Sequence, residues 1–163
     1  MQVTFHGEAC QTNGTPVTVG TTFPDFKVET STNQTLTLDD LKGKVTFISV
    51  VPDLNTRVCS LSTKKFNQEV DKFADIAFYT VSTNTVAEQA DWCALEGVKN
   101  MQVLSDAGKD FGKQTGLYVA EKGIDARSIW VLDEAGKVIY QELITEQSTE
   151  PNYQAVLDLL AEL

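Results

Sequence analysis

A thiol is the most reactive group this sequence offers, and Cys59 stands where a thiol would react best. The stretch Pro52-Asp53-Leu54-Asn55-Thr56-Arg57-Val58-Cys59 follows directly on the apolar run Val45–Val51, and helical periodicity begins after it. Cys59 therefore falls in the first turn of a helix at the carboxyl end of a buried strand. Unpaired N–H groups and the positive end of the helix dipole favour thiolate over thiol there. Ligand sites of open α/β sheets also gather at strand carboxyl ends. The same residues admit a structural reading: Pro52 ends a strand, Thr56 caps a helix, and Cys59 packs inward as a small hydrophobe. Residue types alone leave both readings open.

Other reactive residues are sparse. Cys93, in DWCALEG, reads by itself as a core residue on a helix face. Arg127, in DARSIWVLDE, reads by itself as a surface partner of Asp125, and Cys10 belongs to no pattern. Arg57 precedes Cys59 by two positions and either adds positive potential near the sulfur or faces solvent. Cys59-Ser60-Leu61-Ser62 is CxxS, the pattern of a monothiol glutaredoxin-like site; a dithiol reductant would need CxxC. Metal ligands are few, since His6 is the single histidine. His6 and Cys10 lie four apart in extended chain, where that spacing does not converge as it would on a helix.

The elements that must position these residues follow from pattern. Val3, Phe5, Val17 and Val19 alternate around Asn13-Gly14, which predicts a hairpin turning there. A second extended pair spans 26–30 and 35–38, followed by a helical turn over 39–43. Val45–Val51 reads as a strand covered on both faces. Residues 59–74 form a helix with Cys59, Phe66, Val70 and Phe73 on one face. Ile76–Val81 is the next strand, and a second helix carries Val86, Ala90, Cys93 and Ala94 on its apolar face and closes at Gly97. Met101–Leu104 is strand and Ala107–Gln114 a short helix. Ser128–Leu132 and Val138–Leu143 make a hairpin around Asp133-Glu134-Ala135-Gly136. The last helix has Pro151 near its first turn and carries Tyr153, Val156, Leu157 and Leu160 on one face. This order predicts one α/β domain over residues 1–163: a thioredoxin-like mixed sheet with helices on both faces and an added N-terminal β-hairpin.

Composition narrows the function classes. The 163 residues are 42% hydrophobic and 22% charged, enough for a sizeable core without a disulfide scaffold. A net charge of −10 repels phosphate backbones and anionic lipid, so neither nucleic acid nor membrane is an expected partner. The longest apolar run is too short to span a bilayer. The first basic residue is Lys27, so no charged leader region precedes an apolar stretch. Three cysteines do not make a secreted disulfide framework. A cytoplasmic protein is expected.

Pro52, Thr56 and Cys59 stand in the spacing Pro-x-x-x-Thr-x-x-Cys, which resembles the active-site signature of peroxiredoxins. More narrowly, the chain resembles the bacterial thiol peroxidase subfamily, the atypical two-cysteine class. The likeness runs over nearly the whole length, through the N-terminal hairpin, VCSLSTKKFN, DWCALEG, DARSIWVLDE and TEPNY. It implies that Cys59 is the peroxidatic cysteine, whose thiolate attacks the peroxide O–O bond and becomes sulfenic acid. Thr56 would hydrogen-bond the thiolate and the peroxide oxygen, Arg127 would donate to the same atoms, and Pro52 would shield the sulfur from water. Cys93 would be the resolving cysteine, forming an intramolecular disulfide with Cys59. The likeness further implies hydrogen peroxide and alkyl hydroperoxides as substrates, thioredoxin as reductant and a homodimer. No metal, haem or flavin is implied.

Three alternatives remain at this stage. Cys59 could serve a glutathione-linked thiol–disulfide oxidoreductase, or the Cys59–Cys93 pair could switch a binding surface, or the domain could be passive with Cys59 unreactive. Cys59 and Cys93 sit on the packed faces of two helices separated by a strand. Their sulfurs are not expected to meet in the reduced fold, so oxidation would require the flanking turns to unwind.

Overall fold

The computed structural model describes every residue except Lys99. Strands β1 (Gln2–Phe5) and β2 (Glu8–Gln11) form an N-terminal hairpin. Then come β3 (Lys27–Glu29), β4 (Thr35–Thr37), the one-turn helix α1 (Leu38–Leu41) and β5 (Val45–Val50). Helix α2 (Arg57–Glu69) ends in a 3-10 turn at Val70–Lys72 and leads to β6 (Ile76–Ser82), α3 (Val86–Glu96) and β7 (Gln102–Ser105). The chain closes with α4 (Asp110–Thr115), β8 (Tyr118–Val119), β9 (Ile124–Asp125), β10 (Ser128–Leu132), β11 (Val138–Leu143) and α5 (Tyr153–Ala161).

Seven strands form one mixed sheet in the order β11-β10-β5-β6-β7-β3-β4. Strands β5, β6 and β7 are parallel, and β10 runs antiparallel to β5. The pleat sorts side chains into two cores. Phe47, Phe78, Ile129 and Val131 point to the face covered by α2, α3 and α5, where they meet Phe66, Trp92, Val156 and Leu160. Their neighbours Ile48, Tyr79, Trp130 and Leu132 point to the opposite face, against Leu38 and Leu41 of α1, Phe111 of α4 and Val3 and Cys10 of the hairpin. A continuous apolar run at β5 is the signature of this double coverage. Helices therefore cover both faces, as the element order predicts. Among the described residues, no helix is long and apolar enough to cross a membrane.

Four details differ from the sequence reading. The N-terminal hairpin turns at His6-Gly7, where both residues have positive φ (49° and 84°), the geometry of a type I′ turn. Asn13 instead ties the end of the hairpin to the body of the protein, its side chain donating to Lys113 O and accepting from Tyr118 N–H. Helix α2 starts two residues earlier than the periodicity suggested. On α3 the buried residues are Gln89 and Trp92, while Ala90 and Ala94 are exposed and Val86 and Cys93 half-buried. Gln89 is drawn inward by hydrogen bonds to Ser82 Oγ and Leu104 O, which an apolar pattern cannot anticipate. Strands β8 and β9 are too short to carry a periodic signal, and they pair across the turn that leads to Arg127.

Candidate active site

Antiparallel register brings the key residues to one end of the sheet. Ser128 opens β10 and pairs with Val50 at the carboxyl end of β5, so Arg127 emerges beside the point where the Pro52–Thr56 loop leaves. Thr56 is the N-cap of α2, its carbonyl accepting from Ser60 N–H at 3.0 Å, and Cys59 lies three residues in. Cys59 is 0% exposed. Arg127 Nη2 donates to Cys59 Sγ at 3.1 Å.

Arg127 is itself 2% exposed, and among the described residues no carboxylate lies within ion-pair distance of it. That overturns the surface pairing with Asp125. The Arg127 guanidinium meets the Cys59 sulfur and the Gln147 main-chain carbonyl. Gln147 fixes the arginine: its side-chain carbonyl accepts from the Arg127 N–H at 2.5 Å and its main-chain carbonyl accepts from Nε at 2.9 Å. Gln147 is tied in turn to β1, donating its N–H to Thr4 O at 2.8 Å. Arg127 Nη1 has no partner among the described residues. One donor of the guanidinium fork is committed to sulfur and the other is free.

The loop that presents Cys59 is held by Asn84, two residues past the carboxyl end of β6. Asn84 Oδ1 accepts from Leu54 N–H at 3.0 Å and Nδ2 donates to Asp53 Oδ1 at 2.9 Å. Pro52 is buried beside it. The Thr56 hydroxyl donates to Asp53 O at 2.8 Å and makes no side-chain cap; the expected hydrogen bond to the sulfur is not formed in this state. Ser62 of the CxxS sequence and Thr63 both donate to Cys59 O, at 3.1 and 2.8 Å. Such back-bonding loosens a helix turn slightly.

Above this cluster is a pocket of about 550 Å³, walled by Phe5, Pro52, Val58 and Ile124 and edged by Arg57, Lys122 and Arg127. The hairpin thus supplies one wall. The cysteine lies behind the floor of the pocket, so a ligand oxygen reaches the sulfur only when that floor gives way.

Cys93 is not part of this constellation. It is half-buried and borders a separate hollow of about 230 Å³ against Gln102 and Val103, and burial pushes its thiol above the usual cysteine range. A cleft of about 500 Å³ runs between the start of α2 and the Trp92–Leu95 side of α3. All three cysteines are free thiols. Cys10 is buried in the other core, its thiol 3.8 Å from Glu121 Oε2, and burial and that carboxylate raise it. His6 lines the pocket mouth from the hairpin turn. Among the described residues no group of three or more His, Cys, Asp or Glu could hold a metal.

Sequence reasoning missed Gln147 and Asn84. Neither carries a local signal: one is a glutamine in the turn after β11, the other an asparagine before a helix cap.

Comparison with known proteins gives a consistent result. A family model described as Redoxin matches residues 18–157. Thiol peroxidases of Bacillus subtilis and Clostridium acetobutylicum are 40% and 38% identical to this chain over 158 residues, 96% of it and 95% and 96% of their own lengths. Among solved structures, a peroxiredoxin-like protein from Aquifex aeolicus superposes with a TM-score of 0.92 at 31% identity, covering 99% of this chain and 96% of that one. A thiol peroxidase from Chromobacterium violaceum, at 18% identity, shares the fold with a TM-score of 0.89, covering 99% of this chain and 96% of its own.

Proposed function

Since the chain belongs to the redoxin family, and within it is a peroxiredoxin of the thiol peroxidase type, we propose that Cys59 is the nucleophile of its thiol-dependent peroxidase reaction. The observation that carries this reading is the buried Arg127 guanidinium, with one N–H on the sulfur and one unpartnered. A cation held in a dry site needs no reorganisation when charge develops on the reacting oxygens. The Cys59 thiolate attacks one oxygen of ROOH; an S–O bond forms and the O–O bond breaks. The departing RO⁻ takes a proton and leaves as alcohol, or as water when the substrate is hydrogen peroxide. Cys59 becomes sulfenic acid.

Arg127 Nη1 is the donor available to the departing oxygen. Pro52 keeps water from the sulfur. Thr56 reaches the peroxide only after its hydroxyl leaves Asp53 O, a rotation that the opening of the pocket floor would allow. Cys93 then attacks the sulfenic sulfur, an S–S bond forms and hydroxide leaves as water. A thioredoxin-type dithiol returns two electrons and two protons to the disulfide. Because Cys93 faces a different hollow, the first turn of α2 and the end of α3 must unwind before resolution. We place this reaction in a cytoplasmic homodimer, each chain a single domain over residues 1–163.

The test is peroxide consumption with thioredoxin and its reductase, hydrogen peroxide against cumene hydroperoxide. Cys59→Ser should abolish turnover, because the deprotonated fraction of a hydroxyl is negligible at neutral pH, while Cys10→Ser should stay within a few-fold of the parent. Undiminished turnover in Cys59→Ser refutes the assignment. Reduction of a glutathionylated substrate without peroxide, at a rate exceeding peroxide turnover, would favour the oxidoreductase reading instead.

A further inference from the structure

The pocket above Cys59 has the opposite sign to the protein that contains it. The chain carries a net charge of −10, yet the pocket is edged by three cations, Arg57, Lys122 and Arg127, against one carboxylate, Asp53. Asp53 Oδ1 is already occupied, accepting from Asn55 N–H, Asn55 Nδ2 and Asn84 Nδ2 at 3.0, 3.3 and 2.9 Å. Arg127 is committed to the sulfur. Arg57 and Lys122 are different: among the described residues neither has a carboxylate within 4.0 Å. Lys122 Nζ sits 5.5 Å from the centre of the Phe5 ring, at the edge of the apolar wall.

Arg57 is also badly placed for structure alone. It occupies the first position of α2, whose first turn holds no acidic residue, so its charge opposes the positive end of the helix dipole. A cation there is unfavourable for the helix, and Arg57 borders both this pocket and the cleft that holds Glu88, Asp91 and Glu96, with none of those carboxylates within 4.0 Å of it. The space is also too large for the smallest substrate. A water occupies roughly 30 Å³ and hydrogen peroxide little more, against about 550 Å³ of pocket, a size typical of sites for small organic ligands.

We infer that the pocket selects organic hydroperoxides bearing a carboxylate, with Arg57 and Lys122 as the specificity-determining residues. The inference rests on the peroxidase reading above. The hydroperoxide end points down to Arg127 and Cys59, the apolar body lies along Phe5, Pro52, Val58 and Ile124, and the carboxylate meets the two free cations at the mouth. Hydrogen peroxide gains nothing from this arrangement, and a neutral hydroperoxide gains only the apolar contact.

Two probes with the same reacting centre test it: cumene hydroperoxide carrying a para-carboxylate, and its methyl ester. The unmodified protein should prefer the acid by about tenfold in kcat/KM, the combined effect of two partly exposed ion pairs, and added salt should compress that preference. In Arg57→Gln/Lys122→Gln the acid-to-ester ratio should fall towards one. Equal use of acid and ester by the parent, or a preference insensitive to salt, overturns the inference and leaves the peroxidase reading intact. A ratio unchanged in the double variant overturns the assignment of the two residues. Consumption of neither probe, nor of hydrogen peroxide, would instead fail the peroxidase reading itself. The salt series uses the native chain and does not depend on the variant folding.

Discussion

Replacing Arg127 by methionine should separate reactivity from folding. The substitution removes a charge-assisted hydrogen bond to Cys59 Sγ at 3.1 Å and the unpartnered Nη1 donor. Losing one preorganised donor in a dry site raises a barrier by about 2.7–4 kcal/mol, and each 1.36 kcal/mol is tenfold. Peroxidase kcat/KM should therefore fall by about 10²–10³. Stability should change less. Methionine fills most of the arginine's volume and leaves no buried cation, so the main loss is the Nε donor to Gln147 O at 2.9 Å; one buried acceptor left unpaired costs about 1–3 kcal/mol. Arg127→Lys should recover little activity, because one ammonium cannot serve both Gln147 O and the sulfur. The assays are steady-state peroxide consumption and urea unfolding on the same preparations. A fall of less than about threefold, well below the range expected for one lost donor, removes Arg127 from the mechanism. Loss of activity that tracks loss of the folded state would show a structural residue only.

Three further outcomes are expected. Cys93→Ser should complete one turnover, stall as sulfenic acid and over-oxidise at higher peroxide, as mass spectrometry would show; in the parent, hydrogen exchange at residues 56–64 and 88–97 should be faster in the oxidised form, and equal protection in both states refutes the unwinding. The Lys64–Glu96 ion pair at 2.6 Å joins α2 to α3, but both side chains are more than a third exposed, so it adds little resistance. Burial and the neighbouring Asp106 carboxyl hold Asp125 well above the usual carboxylate range, while Asp106 accepts from Phe111 and Gly112 N–H at 2.9 Å each. The folded chain keeps the Asp125 proton where the unfolded chain has lost it, so that stability is full below about pH 3.9 and is lost as pH rises through the raised folded value. Asp125→Asn cannot ionise and should flatten the decline of the urea midpoint with rising pH; an equally steep decline in the variant refutes the assignment of that decline to Asp125.

The sequence by itself determined the elements and the reactive atom. Continuous hydrophobicity over Val45–Val51 demanded a strand buried on both faces, and Pro52 with helical spacing after it demanded a turn into a helix with Cys59 at its start. Those are local rules: period, breaker and cap act within a few residues. Helix α3 marks their limit, because Gln89 is buried through bonds to Ser82 and Leu104 that no pattern of apolar residues encodes. Its true packed face follows from partners on two other strands. The arginine was legible only through resemblance, since nothing near residue 127 says that it will point at a sulfur 68 positions earlier. Antiparallel pairing of Ser128 with Val50 decided that. Gln147 and Asn84 matter because their amide groups meet particular backbone atoms, and the charge of the pocket arises where a hairpin, a helix start and the turn before β9 converge. Chemistry at Cys59 is a property of one short segment, whereas its counter-charge, its cover and its substrate space are set by segments that only the folded sheet brings together.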